Sequence, residues 1–146
     1  MIPNRLVLDT NVLLDLFVFH DPRWSALLAA LRSGAVHGVT RSDCRQEWLY
    51  VLHYPHLPLD DDKRQAATDE FDRLIQMSSA ASGAAPLPVC SDRDDQKFLE
   101  LARDAQASVL VTKDKALLKL ARRTAKAGMF RILTPQAWLQ EVPPSR

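Results

Sequence analysis

Four carboxylates in this chain, Asp9, Glu47, Asp95 and Asp114, stand where an α/β protein could use them together. Asp9 directly follows the apolar triplet Leu6-Val7-Leu8 and precedes Thr10-Asn11 and a further apolar run. Asp114 follows Val109-Leu110-Val111-Thr112-Lys113 and again leads into a helical pattern. Glu47 lies at the border of the helical stripe Cys44, Trp48 and Val51, which predicts a half-buried side chain. Asp95 closes the cluster Asp92-Arg93-Asp94-Asp95 at the entrance to a helix carrying Phe98. Carboxylates gathered in one place repel unless a cation sits among them. Oxygen-only donors suit hard ions such as Mg²⁺ or Mn²⁺ rather than thiolate-loving metals. Such an ion can activate water and stabilise both oxygens of an in-line phosphoryl displacement.

Each acid also has a plainer reading. Asp9 and Asp114 fit helix N-caps, worth about 1 kcal/mol each. Glu47 fits a solvated helix charge, and Asp92, Asp94 and Asp95 suit a helix start, where the macrodipole favours negative charge. The run Asp60-Asp61-Asp62 is identical in kind to that last cluster and is read entirely as capping and solvation.

The elements that must hold these acids follow from periodicity. Leu6-Val7-Leu8, Val36 to Thr40, Ser108 to Thr112 and Phe130 to Leu133 read as strands. Trp24, Leu27, Leu28 and Leu31 recur at the spacing of one helix face, as do Cys44, Trp48, Val51 and Leu52. Phe71, Leu74 and Ile75 mark another helix, and Phe98, Leu99 and Ala102 a further one. Leu117, Leu120, Ala121 and Thr124 define the inward face of a helix from about Lys115 to Ala127. Strand alternating with helix predicts an α/β domain with a parallel sheet covered on both faces. Ligands of such sheets bind beyond the carboxyl ends of the strands, which is where Asp9 and Asp114 fall.

Composition sets the outer bounds. The chain has 146 residues, 47% hydrophobic and 25% charged, which fits one globular domain spanning 1–146. The Ser/Ala-rich stretch from Ser78 to Pro86 reads as a flexible connection within it. Two cysteines, neither in a CxxC pair, argue against a disulfide framework or structural zinc and for a reduced, cytoplasmic setting. No targeting segment or membrane span is expected. Formal net charge is +1, so a nucleic-acid partner would need locally concentrated cations. From Lys113 to Arg131 there are seven Lys or Arg and a single acid. Lys115, Lys119, Arg122 and Lys126 would form one stripe, either a solvated face or a guide for an RNA backbone. Arg41 and Lys113, at strand ends, are nearer candidates for phosphate contacts. Thr112 could orient a metal-bound water, although as a β-branched strand-end residue it needs no such role. His20, His37, His53 and His56 show no zinc-type grouping, and the four glycines form no phosphate loop.

Taken in order, the motifs resemble the PIN domain family, in particular its branch of toxin–antitoxin toxins. Leu6-Val7-Leu8-Asp9-Thr10-Asn11-Val12 resembles the opening strand with its D-T-N signature. Arg41-Ser42 through Glu47-Trp48-Leu49, then His53-Tyr54-Pro55-His56-Leu57, resembles the helix with the second acid and its proline turn. Val89 to Leu99 resembles the segment with the third acid, Leu110 to Asp114 the strand end with the fourth, and Ile132-Leu133-Thr134-Pro135 the closing strand.

The resemblance implies a three-layer α/β/α fold and a Mg²⁺- or Mn²⁺-dependent ribonuclease acting on single-stranded RNA. It also implies frequent homodimers and a protein antitoxin. Asp9, Glu47, Asp95 and Asp114 match the acidic positions, Asn11 the polar residue of the signature, and Asp92 an accessory acid. Asp95 is preferred to Asp94 because it stands three before Phe98. Lys115 departs from the Asp or Ser often found after the fourth acid. A haloacid-dehalogenase-like phosphatase would need Asp where Asn11 stands. A PIN-like scaffold that binds RNA or a protein without cutting is the remaining alternative.

Overall fold

The apolar triplet Leu6-Val7-Leu8 ends the central strand, β1 (Ile2–Leu8). Successive side chains of a strand point to opposite faces, so Leu6 and Leu8 enter one core and Val7 the other. A strand covered on both faces must be apolar at every position, which is why this segment shows no alternation. The computed structural model describes residues 1–141. Four further strands, β2 (His37–Thr40), β3 (Ile75–Met77), β4 (Ala107–Val111) and β5 (Arg131–Leu133), complete an all-parallel sheet of order β3-β2-β1-β4-β5.

The helices are α1 (Thr10–Phe17), α2 (Ser25–Ser33), α3 (Ser42–Val51), α4 (Asp61–Leu74), α5 (Gln96–Asp104), α6 (Lys115–Leu118), α7 (Ala121–Lys126) and α8 (Pro135–Glu141). Side chains of α1, α2, α4 and α8 pack with Leu6 and Leu8, whereas those of α5 and α6 pack with Val7 and Leu110. This is the three-layer α/β/α arrangement of the PIN-like expectation. In the first layer the Trp48 ring stacks on Phe71 at 5.5 Å, and Phe17 meets both edge-on at 6.1 and 6.4 Å. Such pairs add roughly 0.5–1.5 kcal/mol each beyond burial. Trp24, Trp48 and Trp138 are all core residues.

Two elements differ from the periodicity. Ile75, grouped with Phe71 and Leu74 as helical, instead opens β3. The strand is three residues long, too short to show a period of its own, and Leu74 continues the helical spacing up to its edge. Its place is visible from the other side: a Cβ on Gly38 of β2 would lie 2.5 Å from Ile75 Cδ1, so glycine there makes room for the edge strand. The helix expected from Lys115 to Ala127 is two helices, broken at Lys119–Leu120. There Leu120 N–H donates to Leu117 C=O, a tightened turn that keeps Leu117, Leu120 and Thr124 buried. Lys115 and Lys119 therefore do not share one continuous helical stripe with Arg122 and Lys126.

The chain builds outward from β1 through β2 to β3, then returns to the opposite side of β1 for β4 and β5. The order thus reverses between β1 and β4, where Leu8 is paired with Val111. The carboxyl ends of neighbouring strands diverge into oppositely placed helices at such a point, leaving a crevice. Asp9 and Asp114 flank that crevice.

Candidate metal centre

Asp9 occupies the N-cap position of α1, yet its side chain makes no capping hydrogen bond. It is 3% exposed, and its Oδ2 accepts instead from Thr112 Oγ1 at 2.7 Å. Thr112 is fully buried, and the same hydroxyl oxygen accepts from Asp114 N–H at 2.9 Å. One threonine thus ties the ends of the two central strands together. Burial pushes the Asp9 carboxyl above its ordinary range, against the Thr112 and Thr10 hydrogen bonds, and the nearby Asp114 and Glu47 charges push it the same way.

Asp114 does cap its helix: its Oδ1 accepts from Ala116 N–H at 2.7 Å. The capping reading and the site reading are compatible here, because a carboxylate has a second oxygen to offer. Asp95 ends a 3-10 turn, Arg93–Asp95, that leads into α5, and Asp92 caps that turn by accepting from Asp94 N–H at 3.0 Å. Ligand oxygens of Asp92, Asp95 and Asp114 lie within 4.8 Å of one another.

Asp95 is the most perturbed of the set. Its side chain is buried at 8% exposure, and among the described residues its Oδ2 finds no hydrogen-bond partner. Burial, then a hydrogen bond shared with Asp114, then the charges of Asp9, Asp114 and Asp92 push its carboxyl up to about 8. A buried polar atom without a partner costs about 1–3 kcal/mol. A buried carboxyl group set beside Asp92 and Asp114, with one oxygen left over, is an environment that a hard cation satisfies. The donor set agrees, since all of it is oxygen. The nearby Cys90 thiol is raised by burial first and by the surrounding acids, which disfavours the thiolate a soft metal would need.

Glu47 is half-buried and has internal partners for both oxygens. Thr10 Oγ1 donates to Oε2, and Lys97 Nζ donates to Oε1 at 2.9 Å. The Lys97 ammonium also meets the Asp94 carbonyl. Burial works against that ammonium, but the hydrogen bond and charge of Glu47 outweigh it and hold the group above its ordinary range. Asn11 is exposed in the first turn of α1.

The proposed phosphate contacts are placed unequally. Lys115, which follows Asp114 in the chain, and Lys119 are both exposed. Arg41 faces three carboxylates, Asp43 at 2.7 Å, Glu100 at 2.9 Å and Asp104 at 3.6 Å. Lys113 Nζ lies 2.6 Å from Asp15, a buried acid that also accepts from Trp24 Nε1 at 3.2 Å.

Lys97, Thr10 and Asp15 take part in this network without having been singled out in the sequence. Thr10 carries a signal, as the middle residue of D-T-N. Lys97 carries none, because its partner Glu47 is fifty positions away in another helix.

Fold and site together define an α/β protein with an acidic centre, suited to a divalent cation, at the switch point of a parallel sheet. A family model described as PIN domain matches residues 5–116. The chain belongs to the PIN domain family, a family of metal-dependent nucleases, and the match covers all four acids. Comparison with curated proteins finds no match to the chain. Among the described residues, no helix is long and apolar enough to cross a membrane.

Proposed function

We propose that this protein is a Mg²⁺- or Mn²⁺-dependent endoribonuclease that hydrolyses phosphodiester bonds of single-stranded RNA. The observation that carries this reading is the buried Asp95 carboxyl beside Asp92 and Asp114 at the switch point, whose Oδ2 has no hydrogen-bond partner among the described residues. Asp9, Asp95 and Asp114 would hold the ion, Asp92 would support them from the rim, and Glu47 would close the ring. A divalent ion bound there supplies an acidified water nucleophile and neutralises charge building on the phosphoryl oxygens.

The chain's own residues do the rest. Thr112 fixes the orientation of Asp9 and the start of α6 with one hydroxyl. Asn11, exposed beside Asp9, offers a polar group to water or substrate. Lys115 and Lys119 receive the RNA backbone, so binding weakens as salt rises. Arg41 and Lys113 would join only by releasing carboxylates they already hold.

In the cell we read the protein as the cytoplasmic toxin of a toxin–antitoxin pair, restrained by a protein antitoxin and acting as a homodimer. The support is the resemblance of its ordered motifs to that branch. A non-cleaving scaffold is disfavoured because all four acids are present. Incubating labelled single-stranded RNA with the purified protein and Mn²⁺ or Mg²⁺ tests the reading, with EDTA and Asp9→Asn as controls. Metal-dependent cleavage lost in both controls is the expected result. Cleavage by Asp9→Asn at the normal rate would sink the assignment.

A further inference from the structure

The acidic ring is not uniform. On the aspartate side, oxygens of Asp92, Asp95 and Asp114 lie within 4.8 Å of one another, and among the described residues one buried Asp95 oxygen has no hydrogen-bond partner. On the other side, both Glu47 oxygens are already engaged by Thr10 and Lys97. The Lys97 side chain is half-buried, and three features hold it in place. Its ammonium is 2.9 Å from Glu47 Oε1, touches the Asp94 carbonyl, and lies 5.1 Å from the centre of the Phe98 ring. A mobile surface lysine would have no such set of anchors.

Given the nuclease reading, we infer that the centre takes one divalent ion, on the aspartate side, and that Lys97 is the second cation of the site. In this arrangement Glu47 anchors the ammonium instead of binding a second metal. A divalent ion on Glu47 would sit about 2.0–2.6 Å from its oxygen. That would bring it close to an ammonium already hydrogen-bonded to the same carboxylate, and like charges in that geometry exclude one another. A lysine in this place gives the site a fixed positive charge that needs no recruitment from solution. It stands at the entrance to α5.

The test is the stoichiometry of Mn²⁺ binding to the full chain, measured by calorimetry and by the free-Mn²⁺ electron paramagnetic resonance signal. The wild type should bind one Mn²⁺, and Lys97→Arg, which keeps the charge, should also bind one. Lys97→Met should bind two, with circular dichroism confirming that it folds. Glu47→Gln provides an arm independent of that variant. It should retain one Mn²⁺ with affinity reduced by no more than about tenfold, the lower end of an outer-shell effect.

Two ions on the wild type, a single ion on folded Lys97→Met, or loss of Mn²⁺ binding in Glu47→Gln would each overturn the inference. In those cases a wild type that still cleaves RNA with Mn²⁺ leaves the nuclease reading standing. A wild type that binds no Mn²⁺ overturns both.

Discussion

Two acidic runs of three aspartates each end up in opposite circumstances. Asp60-Asp61-Asp62 opens α4 at the surface; Asp60 caps the helix by accepting from Lys63 N–H at 2.7 Å, and all three acids are exposed. Asp92, Asp94 and Asp95 open α5, and Asp92 makes the same kind of cap. There the likeness ends, because Asp95 turns inward toward Asp9 and Asp114 and loses most of its contact with water. The capping chemistry is local and is satisfied in both places. What separates the runs is where the sheet delivers them: α5 packs beside the carboxyl ends of β1 and β4, whereas α4 packs on the other layer with Phe17 and Trp48. An acid cluster becomes a site only when the fold brings other acids to it and water is excluded.

The comparison breaks most readily at Asp95. Asp95→Asn should abolish metal-dependent RNA cleavage, with a loss beyond the roughly 10–100-fold typical of residues that only support a metal ligand. A variant retaining near-normal activity in a labelled-RNA assay would make the two runs equivalent after all.

The next largest effect is on stability against pH in metal-free protein. The Asp95 carboxyl is at about 8 in the folded chain, against an ordinary value of 3.8. Between those values the folded state binds more protons than the unfolded state, so stability falls as pH rises. The contribution is fully present below about pH 4 and is lost as pH passes through about 8. Asp9, also raised, acts in the same direction. Thermal melts in EDTA should show the decline between pH 4 and 8; excess Mn²⁺ should oppose it, and Asp95→Asn should flatten it. Equal melting temperatures across that range in EDTA would contradict the placement of Asp95.

Asp60→Ala is the counterpart. It should cost about 1 kcal/mol through the lost cap, which lowers the melting temperature by roughly 2–4 °C in a chain of this size. Cleavage rate and Mn²⁺ affinity should stay at wild-type values. A loss of activity would show that the surface run has a part in the site. The smallest effect is expected at Lys119→Ala, which should weaken RNA binding modestly and reduce the salt dependence by about one unit of slope. An unchanged slope would return Lys119 to the role of a solvated charge.

Much of this was legible in the sequence because it rests on local rules. Four of the five strands follow from short apolar runs, and the positions of Asp9 and Asp114 follow from the habit of parallel sheets to place ligands beyond their strand ends. The half-burial of Glu47 follows from its place at the edge of a helical stripe. β3 was hidden because three residues cannot display a period, and the break at Lys119–Leu120 because buried spacing at i and i+3 fits both a helix and a tightened turn.

The sequence by itself determined which residues could serve: the parallel α/β plan, the four acids in order, and the capping role of Asp60. Only the tertiary structure decided how they are used. The crevice exists because the strand order reverses between β1 and β4, a property of topology that no window of residues contains. The same reversal brings Thr112 to Asp9, buries Asp95 beside Asp114, and sets Lys97 against Glu47. Those pairings join residues from separate elements, and their energies arise from burial and charge proximity, which come into being only when the chain is folded.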